Sequence, residues 1–162
     1  MRYLTGMTTG RSTTVSRLIA VPPERIYRAF LDGEAVATWL PPGSMTGIVH
    51  AFEGWEGGAF SMSLVYPDDE TSQLGKTSEK TDRFEGRFAR LVPDQQIVWV
   101  TVFESEDESF SGEMTLATTL SRVDGGTVVT MLCEDIPSGI RLEDNEEGCR
   151  LTLDKLAAFV SG

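Results

Sequence analysis

Apolar positions recur along this chain at two periods, and the changes between them mark out its elements. Over residues 13–21 (TTVSRLIAV) alternation and β-branching predict a strand. Pro22 and Pro23 end it and open a short helix, PPERIYRAF, with Ile26, Ala29 and Phe30 on one face. Asp32-Gly33 breaks that helix, and a second over residues 34–40 stops at Pro41-Pro42-Gly43. The period then becomes two. Residues 47–53 and 59–66 flank GWEGG, a connection suited to a hairpin with a bulge. Residues 67–80 are polar and charged and read as a long loop. Strands follow over 82–92, 96–103, 112–123 and 127–136, with an acidic turn at 104–108 and a tight one at Asp124-Gly125-Gly126. Residues 96–103 (QIVWVTVF) are apolar on both parities, which predicts burial on both faces or shielding by a partner. In residues 148–160 the helical period returns. Cys149, Leu153, Leu156, Ala157 and Val160 share a face, and Arg150, Asp154 and Lys155 take the other. Glu143, Asp144, Glu146 and Glu147 suit the positive end of that helix, with Asp144 or Asn145 as its cap.

The order strand, two short helices, several strands, long helix predicts an α+β fold. We expect a curved antiparallel sheet of about six or seven strands wrapped around the long C-terminal helix, with the two short helices after the first strand. The expected organisation is a flexible N-terminal tail over residues 1–12 and a single domain over 13–162. At 162 residues, 40% of them hydrophobic, the chain is long enough to bury a core without metal or disulfide. A net charge of -11 argues against phosphate backbones and anionic membrane surfaces as partners. No apolar run approaches the ~20 residues of a membrane span. Two cysteines without a C-x-x-C pair are the usage of a reducing compartment, with one disulfide as the alternative that spacing leaves open, and a cytoplasmic location is expected.

The stretches VSRLIAVPPERIYRAFLD, TWLPP, EGWEGGAFSMSL, FEGRFARLVPDQQIVW, SGEMTLATTL, DGGTVVTM and EEGCRLTLDKLAAFV follow one another across residues 13–160. Their order and spacing resemble the SRPBCC (START-like, helix-grip) superfamily, and within it the activator-of-Hsp-90-ATPase-homologue branch. The resemblance implies a deep apolar cavity between sheet and terminal helix, used across the superfamily for lipids, sterols and polyketide-like molecules. Some members catalyse cyclisation or dehydration, others carry or sense, and the branch takes its name from co-chaperones. Two positions depart from the pattern. Cys149 stands where relatives commonly carry Trp in a GW pair, and Trp55 where a basic residue is frequent.

Signatures for a metal or cofactor are absent, and none is expected. A single histidine excludes H-E-x-x-H, and Glu70 replaces the first glycine of a phosphate loop ending Gly75-Lys76-Thr77. Strand parity supplies a lining instead. Met62 lies with Phe60 and Leu64; Met114 with Leu116, Thr118 and Leu120; Met131 and Cys133 with Val129. If these faces look towards Cys149 and Leu153, they either line a tolerant pocket or fill an ordinary core, with the two cysteines close together. Arg17 falls on the apolar parity of Val15 and Ile19. It either binds an anionic ligand group or makes a structural ion pair. His50, on the parity of Ile48 and Phe52, is the candidate acid–base residue, or a hydrogen-bonded structural one. Trp39 and Tyr66 end elements near a cavity mouth, where either could also seal the core. The preferred function is binding of a small hydrophobic or amphipathic ligand, with Arg17 or His50 as the polar contact. The alternatives are a polyketide cyclase or aromatase using His50, and a chaperone-interaction module using Trp55 and the acidic loops. A homodimer is a further expectation, from the doubly apolar strand.

Overall fold

The computed structural model of the chain describes residues 10–67 and 81–162. Strands β1 (Ser12–Ile19), β2 (Thr46–Phe52), β3 (Ala59–Val65), β4 (Thr81–Val92), β5 (Gln96–Phe103), β6 (Met114–Val123) and β7 (Gly126–Glu134) form one antiparallel sheet. Its order is β1-β7-β6-β5-β4-β3-β2, so β2 to β7 run as a meander and β1 closes onto β7. Helices α1 (Pro23–Ala29) and α2 (Gly33–Trp39) carry the chain from one sheet edge to the other, and α3 (Leu142–Ser161) follows the last strand. This is the α+β helix-grip arrangement. Pro23 starts α1, where a missing N–H costs least. The Asp32 carboxylate accepts from the Glu34 amide and caps α2.

The long loop expected over 67–80 lies, beyond Pro67, outside the described residues, as does the tail up to residue 9. Arg11 is already fastened: its guanidinium donates to the carbonyls of Ile136, Pro137 and Ile140. Two further expectations change. The terminal helix starts at Leu142, with Arg141 before it, so Asp144 and Asn145 are inside the helix rather than caps. Leu142 packs against Ile136 and Ile140, which extends the helix upstream. Strand β5 is buried on one face only. Ile97, Trp99 and Thr101 are buried, whereas Val102, on the outer face, is 38% exposed.

The sheet curves where it must. Extra residues interrupt the ladder between Val49 and Ala51 in β2 and between Phe88 and Arg90 in β4, and such bulges bend a strand and raise its twist. At Gly86 a Cβ would sit 2.4 Å from the Phe60 ring, so only glycine lets that ring lie across β4. The concave face is packed with rings. Phe30 stands 4.5 Å from Trp39, Phe60 5.1 Å from Trp99, and Phe60 5.5 Å from Phe88. Thr152, Leu153, Leu156, Ala157 and Val160 of α3 are buried over this face. Each large apolar side chain so buried contributes about 1.5–3 kcal/mol.

The two central indoles differ in one respect. The Trp39 N–H donates to the Ala29 carbonyl at 2.9 Å, whereas the buried Trp99 N–H has no acceptor among the described residues. Trp39→Phe breaks a buried hydrogen bond, while Trp99→Phe removes an orphan donor along with similar volume. In chemical denaturation, Trp39→Phe is therefore expected to cost about 1–3 kcal/mol more than Trp99→Phe; equal costs would contradict this difference.

Candidate functional site

Inner-face side chains are not equally covered along the grip. Towards α1 and α2 they are sealed: Trp39, Phe88 and Leu156 are 0% exposed. At the other end, the finish of β3 and β5, the start of β4 and β6, and the early turns of α3 come together. There Leu64, Tyr66, Phe103, Met114, Leu116 and Cys149 are only half-buried. Strand alternation points all of these strand residues to the same side as Phe60, Phe84 and Trp99. Gly148, beside Cys149, has nothing within 4 Å of where a Cβ would be, so the helix is uncovered there. We call this region the open end.

Two polar groups belong to it. Asp82, 1% exposed, accepts from the Tyr66 hydroxyl at 3.0 Å. Burial, followed by the charge and the hydrogen bond of Asp82, pushes the Tyr66 hydroxyl well above its ordinary pKa. On the β7 side the Cys133 and Cys149 sulfurs lie 3.8 Å apart as free thiols. Cys149 also points its S–H at Asn145 Oδ1, an atom that additionally takes the Thr13 hydroxyl. The hydrogen bond with Cys133, then burial, raises the Cys149 thiol far above its usual range, while hydrogen bonding from Cys149 draws Cys133 down. Among the described residues no group of three or more His, Cys, Asp and Glu gathers to hold a metal ion. No described helix is long and apolar enough to cross a membrane.

The residues singled out from the sequence fall into three places. Met114, Cys133 and Cys149 come together on the β6–β7 side of the open end, and Tyr66 stands on its β3–β4 side beside Asp82. Trp39, Met62, Met131 and Leu153 are in the filled centre, at 0–1% exposure. Arg17 and His50 are outside both. Arg17 shares the parity of Val15 and Ile19, but its guanidinium reaches past the helix to pair with Asp154 in solvent. His50 does not share a face with Phe52, because His50 is itself the extra residue of the β2 bulge. Phe52 turns inward to Phe60, 5.7 Å away, while His50 is exposed and its Nε2 is 2.8 Å from Ser63 Oγ. Sequence reasoning missed Asp82, Phe103 and Asn145. A carboxylate on the Phe84–Gly86–Phe88 parity was the available sign for the first, and the four-residue step from Asn145 to Cys149 for the last.

The interior expected to be hollow is occupied at its centre by the ring cluster. Two shallow hollows, open to solvent, lie on the surface. One, of about 570 Å³, overlies the acidic turn from Glu104 to Asp107. The other, of about 340 Å³, lies between Arg25, Arg28 and Asp32 and the end of α3 at Phe159.

Comparison with known proteins adds the following. The family model described as activator of Hsp90 ATPase homolog 1-like protein matches residues 20–161. A crystal structure from Chromobacterium violaceum is 32% identical, over 93% of this chain and 97% of that one, with a TM-score of 0.80. One from Rhodobacter sphaeroides, 18% identical over 96% and 95% of the two chains, superposes with a TM-score of 0.73. An AHSA1-like protein from Aeromonas hydrophila, 16% identical over 93% and 92%, gives 0.68. The latter two speak for the fold alone. No curated protein matches the sequence.

The Tyr66–Asp82 bond can be read by pH. A phenol whose pKa is raised in the fold stabilises the protein below its unfolded value of 10.0, and that contribution is lost as pH rises beyond it. Tyr66→Phe is expected to cost about 1 kcal/mol at pH 8, the half-exposed position reducing the full worth of a bond to a charged group. In urea melts the gap from wild type should narrow above pH 10; a gap that widens there would reverse the assigned sign.

Proposed function

The chain belongs to the activator of Hsp90 ATPase homolog 1-like family, and on that premise we propose that it binds a small hydrophobic or amphipathic molecule at the open end of the grip. One observation carries the reading. Inner-face side chains that are sealed near α2 are half-bare between Leu64, Phe103, Leu116 and Cys149, next to half-buried Tyr66 and its buried partner Asp82. An apolar ligand covering about 200 Å² there gains roughly 5 kcal/mol at ~25 cal/mol per Å². Immobilising it offsets part of that gain, which leaves a modest affinity. The Tyr66 oxygen, its O–H already donated in a hydrogen bond to Asp82, keeps lone pairs that accept from a ligand hydroxyl or amine. Arg17 is paired with Asp154 and His50 is exposed beside Ser63, so this reading takes Tyr66 rather than either of them as the polar contact. Proton transfer by His50 likewise has no observation in its favour.

A second reading has one observation behind it. Trp55 is 61% exposed at the tip of the β2–β3 hairpin, and the centre of the grip is filled. A large exposed aromatic with no packing duty suits contact with a protein, for which a chaperone ATPase of the kind in the family's name is the first candidate.

Two variants separate these readings. Gly148→Phe places a ring in uncovered space and replaces a helical glycine, so stability should hold or rise by up to about 1 kcal/mol. In a Nile red fluorescence titration, wild type is expected to bind saturably and Gly148→Phe at least ~10-fold more weakly. No saturable binding by wild type, or equal binding by the variant, overturns the open-end reading. Trp55→Ala is expected to leave stability within about 0.5 kcal/mol and Nile red binding unchanged. Stimulation of an Hsp90-type ATPase by wild type, lost in Trp55→Ala, would favour the second reading instead.

A further inference from the structure

Two free thiols in contact, one partly open to solvent, form a chemical group distinct from either alone. Cys133 comes from β7 and Cys149 from α3, 16 positions later, and their sulfurs are 3.8 Å apart. Cys133 is 2% exposed, and Cys149 is half-buried beside uncovered Gly148. We propose that this pair is a redox modification site: a dithiol that exchanges with low-molecular-weight disulfides and closes to a Cys133–Cys149 disulfide, fastening α3 to β7. The reading does not depend on what occupies the open end.

The surroundings supply what exchange needs. A thiolate in the pair accepts a hydrogen bond from the neighbouring thiol, and Thr13 and Asn145 stand around it. Charge settles first on Cys133, whose sulfur is buried; passing the shared proton across the contact puts it on Cys149, the sulfur that a reagent R–S–S–R can meet. The Cys149 thiolate then attacks one sulfur of the reagent. The reagent's S–S bond breaks, RS⁻ leaves and takes a proton from water, and Cys149 carries –S–R. Cys133 next gives its proton to water and attacks Cys149 Sγ; the Cys133–Cys149 S–S bond forms as the Cys149 S–SR bond breaks, and the second RS⁻ leaves and is protonated. Two protein thiols are oxidised and one small disulfide is reduced to two thiols. Thiols already in contact need only side-chain rotation and a small shift of the helix to bond. The cross-link closes a short loop, which restricts the unfolded chain.

The test is intact-mass analysis of the purified full chain after incubation with oxidised glutathione. Wild type is expected to lose two hydrogens and retain no glutathione, with a reductant-reversible rise in Tm of roughly 5–10 °C. Cys133→Ala is expected to stop at one glutathione on Cys149, and Cys149→Ala to stay unmodified under the same conditions. An unchanged wild-type mass, or a wild-type chain that keeps its glutathione, overturns the proposal. So does modification of Cys149→Ala as fast as wild type. The wild-type result decides the matter whether or not either variant folds.

Discussion

A sheet bent around one helix has a concave face wider than that helix can cover, and the fold depends on what fills the difference. Here rings do so. Phe60 and Phe88 from the strands and Phe30 and Trp39 from the two short helices each pack within 5.1–6.4 Å of Trp99 in the middle of the sheet. They set the distance at which α3 can lie. Close packing of this kind tolerates little change in volume, as the glycine required under the Phe60 ring illustrates. The short helices, which appear incidental in chain order, are therefore part of the core: they deliver Phe30 and Trp39 to the sheet.

The same packing explains why the grip differs from end to end. The fully buried rings gather where α1 and α2 deliver Phe30 and Trp39. Beyond them the ring contacts run on from Phe60 to Phe84, 6.2 Å away, and from Phe84 to the half-buried Phe103, 6.3 Å away. Otherwise the β3–β6 ends and the start of α3 meet with smaller or flexible side chains, Leu64, Met114, Leu116 and Cys149, and with Gly148. Polar groups gather where water is near. Tyr66 satisfies buried Asp82, and Thr13 and Asn145 surround the thiol pair. A fold that seals one end and leaves the other partly bare has a direction, and any apolar guest enters from the bare side.

Much of this was legible in the sequence. Period two and period 3.6 marked the seven strands and the three α-helices, but not the short 3-10 turn at Glu108–Phe110 or the first turns of the terminal helix. Parity placed Met114, Cys133 and Cys149 on converging faces, which is where they stand. The misplacements have physical causes that alternation does not carry. The extra residue in β2 is His50 itself, which turned outward while Phe52 turned inward, and a bulge of that kind leaves no pattern in so short a strand. Arg17 was on the inner parity, but its length lets the charge reach Asp154 and water. How full the interior is could not be read from periodicity. It depends on Phe30 and Trp39 meeting Phe60 and Trp99, residues far apart in the chain.

The central claim is a grip solid in the middle and open at one end, and xenon maps that distinction directly because it settles in apolar space without demanding a polar contact. In crystals pressurised with xenon, density is expected beside Leu64, Phe103, Leu116 and Cys149, with none among Phe60, Phe88 and Trp99. Xenon in the centre of the ring cluster, or no xenon near Cys149 and Phe103, would contradict it.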